Sequence, residues 1–270
     1  MHATSTGFDE ALFARRIIRA TNHRDVLADP EAIKKIADDI KSGDVYIFER
    51  AIEPKQLITI RQYLVGIGKG SLPNYHKIEA GSPNFHRINR WDPRAYVKAC
   101  FHQFAFFPWN EDVFDLFQLT REIYAMRNMV AGLPSDKFLG RDVQDACAAR
   151  ISFQFYPKGI GGMNMHRDPY DYHQLTVPIV TMSTKGKDFN TGGAYVVGAS
   201  DERIYLDDIS QVGDVIYFNS QTPHGVEKID EGAEVDWTSF EGRWMMLLAV
   251  NKLVESTVVG DAIDLEVNGI

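Results

Sequence analysis

From about Phe8 to Ala20, and again from Pro30 to Lys41, apolar residues recur three and four apart, which predicts two short amphipathic helices. Pro30 stands at a helix start and Gly43 at a stop. DVYIFER, Asp44 to Arg50, reads as a strand, and Pro54 opens a third helix through Leu57, Ile60 and Leu64 to about Gly66. Residues 68 to 91 hold many Gly, Pro, Asn and His residues without sustained periodicity, so a long irregular loop is expected. Glu111 to Leu133 carries Val113, Leu116, Phe117, Ile123, Met126 and Val130 at the spacing of one long amphipathic helix. After about Ala148 the texture changes. RISFQFYP, QLTVPIVTMS, GGAYVVGA, RIYLD, DVIYFN and RWMMLLAVN are short β-rich runs separated by Gly, Asp and Asn turns, the pattern of an antiparallel barrel or jelly roll. The expectation is an α+β chain, mainly β in its core, forming one domain. Residues 1–147 are its helical and loop-rich part, 148–253 its β-core and 254–270 a C-terminal extension.

Composition narrows the function classes. In 270 residues, 44% hydrophobic and 24% charged, there is enough apolar material for a sizeable core. A formal net charge of -8 argues against a nucleic-acid partner, whose phosphates need clustered Lys and Arg. Nowhere do about 18 apolar residues run together, and the first 25 residues lack an apolar signal-peptide core, so no membrane partner is expected and the cytoplasm is the default location. The two cysteines, Cys100 and Cys147, have no metal-ligand or disulfide spacing and read as free core thiols. Oligomeric state leaves no mark in the sequence.

The chemistry concentrates between Tyr156 and Arg243, in YPKGIGGMNMHRDP, NTGGAYVV and GDVIYFNSQTPHGV followed by the Arg that opens RWMMLLAV. His166 and Asp168 are two apart, so on an extended backbone their side chains leave the same face and can share one ion. His224, 56 residues beyond Asp168, follows enough chain for several strands to go out and return, and would complete the set. Two imidazoles and one carboxylate cover one face of a metal and leave other positions open, the ligand set of non-haem Fe(II) oxygenases. A 2-oxo acid chelating such an ion needs a fixed cation for its far carboxylate, and a guanidinium offers paired donors that stay charged. Arg243 is the candidate and Arg150, opening RISFQFYP, the competitor.

This arrangement resembles the 2-oxoglutarate/Fe(II)-dependent dioxygenase superfamily, in the branch of prolyl hydroxylases and small-molecule hydroxylases, over about Ala149 to Asn251. The resemblance implies a double-stranded β-helix buttressed by the N-terminal helices. It also implies Fe(II), 2-oxoglutarate and O2, with His166, Asp168 and His224 as metal ligands. FYPKGIGGMNMHRD matches the family's strand and turn leading into the H-x-D element and puts Tyr156 at a co-substrate-pocket tyrosine; Gly192 and Gly193 fit the paired glycines before a strand. Arg243 matches the co-substrate arginine, although it lies 19 residues past His224, with the insert EKIDEGAEVDWTSFEG lengthening the connection. The implied reaction converts 2-oxoglutarate and O2 to succinate and CO2 while oxidising a C–H bond. Hydroxylation is the default; the carboxylate of Asp168 disfavours halogenation, and desaturation or ring formation stays open.

Gln154 is expected beside the co-substrate, and Arg150, Asn164 and His173 beside the substrate, if the strand register holds. His76, His86 and His102 have no partner at ligand spacing, and the aromatics of Phe101 to Asn110 read as core filling because no basic residues interleave them. A compact, acidic chain with no docking appendage favours a small-molecule substrate such as an amino acid derivative or natural-product intermediate; a cell-surface sugar or a protein side chain are alternatives. The same ligands also suit a metal-binding sensor of cupin type, or an isomerase or hydrolase using Zn or Mn.

Overall fold

The computed structural model describes residues 12–73, 78–169, 174–253 and 262–267. In chain order the elements are β1 (Ile17–Ala20), α1 (His23–Leu27), α2 (Pro30–Lys41), β2 (Val45–Phe48), α3 (Pro54–Gly70), β3 (Phe85–Arg90), β4 (Ala99–Phe106), α4 (Leu116–Leu119) and α5 (Arg121–Val130). There follow β5 (Cys147–Pro157), β6 (Gly162–Arg167), β7 (Ile179–Thr181), β8 (Gly193–Val197), β9 (Arg203–Tyr205), α6 (Leu206–Ile209), β10 (Val215–Tyr217), β11 (His224–Glu227), β12 (Gly242–Lys252) and β13 (Ile263–Asp264). The strands hydrogen-bond in the order β1-β2-β10-β7-β12-β5-β4-β6-β11-β8-β9, with β3 beside β4 and β13 beside β6. The sheet curls so that β6, β11, β8 and β9 form the smaller wall of a jelly roll.

Strand alternation separates two interiors. In the long antiparallel β5–β12 pair, Phe153, Phe155, Trp244, Met246 and Leu248 face a core closed by α2, α3 and α5 through Ile36, Ile40, Leu57, Ile60, Leu64, Ile123 and Met126. Arg150, Ser152, Gln154 and Tyr156 of β5, and Arg243, Met245 and Leu247 of β12, point the other way, between the two walls. α2 starts where expected, because the Asp29 carboxylate accepts from the backbone N–H groups of Glu31 and Ala32 and Pro30 needs no donor partner. Both cysteines are free and buried. No helix among the described residues is long and apolar enough to cross a membrane.

Three elements differ from expectation. Within 8–20 the described part holds no helix; Ile17–Ala20 is a strand parallel to β2, because its β-branched residues gain ladder hydrogen bonds at a sheet edge that an isolated short helix cannot match. The loop expected over 68–91 contains β3, whose polar residues on both faces hide the strand period. The long helix expected over 111–133 is broken into α4 and α5. There the Asp112 carboxylate accepts from the N–H groups of Phe114 and Leu116 in a turn that competes with helix, and Asp115 sits at φ 51°.

His23 gives a test of this packing. It stacks on Phe48 at 4.1 Å, its Nε2 lies 2.8 Å from the Tyr217 hydroxyl, and burial lowers its pKa to about 4. The unfolded chain, with His near 6.5, binds the proton the folded chain refuses, so stability falls as pH drops from about 6.5 toward 4. His102 and His86 act in the same sense, burial lowering each to about 4. Denaturant midpoints measured from pH 7 to 4.5 should decline, and decline less steeply in His23→Phe.

Candidate metal centre

His166 ends the inner face of β6 and is paired directly with His224 at the start of β11. The ring centroids are 4.2 Å apart. Each ring is held by its own backbone: His166 Nδ1 donates to Asn164 O at 2.9 Å and His224 Nδ1 to Thr222 O at 2.8 Å. A carbonyl only accepts, so the proton sits on Nδ1 and the Nε2 lone pair is left for a ligand role. Asp168, just past β6, is anchored by its N–H to Ser220 O at 2.9 Å and by its carbonyl accepting from Gln221 Nε2. Its Oδ1 lies 3.8 Å from His166 Nε2 and its Oδ2 3.5 Å from His224 Nε2, and one ligand atom from each of the three residues falls within 4.8 Å of the others.

The protonation states suit a cation. Burial, then the neighbouring His224, lowers the pKa of His166 to about 4, leaving a neutral imidazole at neutral pH. Burial alone would raise Asp168, but the hydrogen bond and charge of His224, with His166 and Arg150, bring it below the usual carboxylate value. Two imidazoles and one carboxylate on one side of a point are a donor set for a divalent transition metal with open positions. The cavity that these three residues line, about 70 Å³, is walled otherwise by Met163, Ile179, Leu206, Phe218, Met245 and Leu247 among others, with Gln154, Tyr156 and Tyr195 adding polar groups. Wider surface clefts of about 590 and 550 Å³ lie elsewhere, but neither is lined by a histidine.

Arg243 is fully buried, beside the Tyr156 ring at 5.7 Å and directly across from Tyr156 in the β5–β12 register. Its Nε donates to Asp207 Oδ2 at 2.7 Å, while its Nη1 is buried without a hydrogen-bond partner. Asp207, on α6, also accepts from Ala194 N at 2.6 Å, so it ties β8 to β12 and sets the guanidinium's orientation. No local signal marks Asp207, which lies in a charged run, LDD, without periodicity. The Tyr156 hydroxyl donates to Gln154 Oε1 at 2.7 Å. Burial raises the Tyr156 pKa, so this phenol stays protonated.

The paired glycines have a steric reason. Gly193 has φ +118°, and a Cβ there would stand 2.6 Å from Asp207 Oδ2; Gly192 has φ +78°, and a Cβ would meet Lys228 O at 2.1 Å. Gly193→Ala should displace the Asp207 carboxylate and with it Arg243. If Arg243 binds an anion, that binding should weaken more than the melting temperature falls, a difference that calorimetric titration beside a thermal melt reads out.

The remaining candidates divide. Arg150 shares the inner face of β5 but not the Tyr156 end. The Asn164 side chain points away to Asp264 at 3.3 Å; its contribution to the centre is the carbonyl that holds His166. His86 and His102 pair with each other, Nε2 to Nδ1 at 3.0 Å, and His86 stacks on Phe104 of the helix-covered core. His173 and His76 lie outside the described residues.

No family model matches the chain, and no curated protein matches it. Solved structures do. A Pseudomonas putida prolyl-4-hydroxylase aligns with TM-score 0.52 and 12% identity over 82% of this chain and 98% of its own. JOX2, solved in complex with 2OG, Fe and JA, aligns with TM-score 0.51 and 12% identity over 92% of this chain and 78% of its own. At that identity the likeness concerns architecture: this chain has the jelly-roll fold seen in those two proteins, with its His166, Asp168 and His224 cluster between the two walls.

Proposed function

We propose that this protein is a 2-oxoglutarate-dependent Fe(II) oxygenase in which His166, Asp168 and His224 hold the iron and Arg243 anchors the co-substrate. The observation that carries the reading is the convergence of the three ligand atoms within 4.8 Å in an apolar cavity. The unpartnered, buried Nη1 of Arg243 adds to it, being a donor that an incoming carboxylate would satisfy. When bound, iron and 2-oxoglutarate would supply the oxidising chemistry, O2 and the oxo acid yielding succinate and CO2.

The chain's own part is to bind, orient and exclude water. The carbonyls of Asn164 and Thr222 fix both imidazoles with Nε2 inward, as outer-shell partners do at metal sites. Asp207 holds the Arg243 guanidinium, which lies across the β5–β12 pair from Tyr156, and Gln154 holds the Tyr156 hydroxyl in the cavity wall. The aliphatic lining keeps bulk water from a reactive centre. Asp168 fills a coordination position with a carboxylate, which favours hydroxylation of an unactivated C–H bond over halide transfer. A small molecule, such as an amino acid derivative or natural-product intermediate, is the proposed substrate. Conversion of 2-oxoglutarate to succinate that requires Fe(II) and O2 tests the reading; turnover sustained by Zn(II) without succinate would replace it with a hydrolase, and metal binding without turnover with a sensor.

A further inference from the structure

β6, which carries His166, is flanked on one side by β11. On the other side two segments share its length. β4 covers the first half, with Ala99 opposite Met163, Cys100 opposite Gly162 and Asn164 N donating to Lys98 O at 2.9 Å. The contact with β4 ends there, and β13 takes over: Asp264 pairs with His166, Ile263 with Arg167, and Leu265 N donates to Met165 O at 2.9 Å. Without β13 the half of β6 that bears His166 would be an open edge among the described residues.

The C-terminal segment grips one residue of β6 by both of its backbone groups. The Met165 carbonyl accepts from Leu265 N, and the Met165 N–H donates to Glu266 Oε1 at 3.1 Å. That N–H belongs to the same planar peptide group as Asn164 O, the acceptor for His166 Nδ1. Fixing the Met165 N–H therefore fixes the direction of the Asn164 carbonyl, and with it the ring. Asp264 pins the segment in turn. It is 4% exposed, while Ile263 beside it is 51% exposed. Its Oδ2 accepts from Lys98 N at 2.9 Å and its Oδ1 from Glu266 N and Val267 N at 3.0 and 3.1 Å, so one carboxylate joins the residue before β4 to the turn that presents Glu266. The Asn164 side chain is the most distant of these donors, at 3.3 Å.

From this arrangement we infer that residues 262–267 are part of the metal centre, with Asp264 a positioning residue that locks the segment aiming the Asn164 carbonyl at His166 Nδ1. This rests on the oxygenase reading for the metal's role and adds a support outside the two walls. His224 has no share in it, since its Nδ1 donates to Thr222 O and its strand lies between β6 and β8. The consequence is selective: loosening the C-terminal segment frees one of the two imidazoles.

In metal-free protein, the proton that His166 Nδ1 gives to Asn164 O reports the link, and that of His224 Nδ1 is the internal control. Hydrogen exchange at the two imidazoles is followed by heteronuclear NMR, and Co(II) affinity is measured by titration. In Asp264→Ala the His166 proton should exchange at least about 10-fold faster with the His224 proton unchanged. Co(II) affinity should fall by about 10- to 100-fold, as for other outer-shell partners, while the melting temperature stays within a few degrees of the native one. Asp264→Asn, which keeps a carbonyl oxygen for the turn, should recover part of both losses. Leu265→Pro removes one ladder donor, leaves Asp264 in place and should give the same selective effect. Equal acceleration at both histidines, no acceleration at either, or undiminished Co(II) affinity in the variants each overturn the inference. Native protein that binds no Co(II), or binds it only as well as His166→Ala does, would strike the oxygenase reading instead, and the imidazole exchange rates would still decide this inference.

Discussion

Alanine at His166 or at His224 is expected to reduce Fe(II)-dependent succinate release by more than about 100-fold, beyond the 10- to 100-fold that loss of outer-shell partners costs. Each substitution removes one of three ligands from a site whose remaining pair cannot fix an ion against solvent. The fold should survive, since the two rings are joined to the rest of the protein mainly through hydrogen bonds to their own neighbouring carbonyls. A near-native thermal melt of the metal-free variant, beside loss of iron on dialysis, would separate a ligand role from a packing role. Asn164→Ala makes a useful contrast. It leaves the carbonyl that holds His166 and removes only the contact to Asp264, so iron affinity should change little.

Arg243→Ala should be the most damaging change to both stability and co-substrate binding. The ion pair with Asp207 is almost fully buried, at 1% and 2% side-chain exposure. Removing the cation leaves a buried carboxylate with, among the described residues, the Ala194 N–H as its remaining hydrogen-bond donor, a loss of about 3–5 kcal/mol. Urea denaturation measures that loss, and the double replacement Arg243→Met with Asp207→Leu should recover part of it, because an apolar pair of similar volume carries no stranded charge. 2-Oxoglutarate affinity should not return in the double variant. That split distinguishes a guanidinium that binds the co-substrate from one that merely holds α6 against β12.

The three proposed ligands were legible because their spacing obeys backbone geometry. His166 and Asp168 are two residues apart at a strand end, and His224 sits at the start of the strand that pairs with theirs. The β-core was legible too, since RISFQFYP alternates and RWMMLLAVN is a short continuous apolar run, and the two become the longest antiparallel pair. Asp207 was not, because its role exists only where α6, β8 and β12 meet, a contact with no local signature. β1 and β3 were hidden for another reason: Ile17 to Ala20 has a spacing that also fits a helix turn, and Phe85 to Arg90 has polar residues on both faces. In each case pairing with a neighbouring strand decided the outcome over local preference.

The most direct test of the central claim is an anomalous difference map at the iron absorption edge, from crystals grown with Fe(II) in the absence of oxygen. One strong peak per chain is expected, about 2.0–2.2 Å from Nε2 of His166, Nε2 of His224 and a carboxylate oxygen of Asp168. Iron bound elsewhere, or at this place with Asp168 turned away from it, would contradict the account.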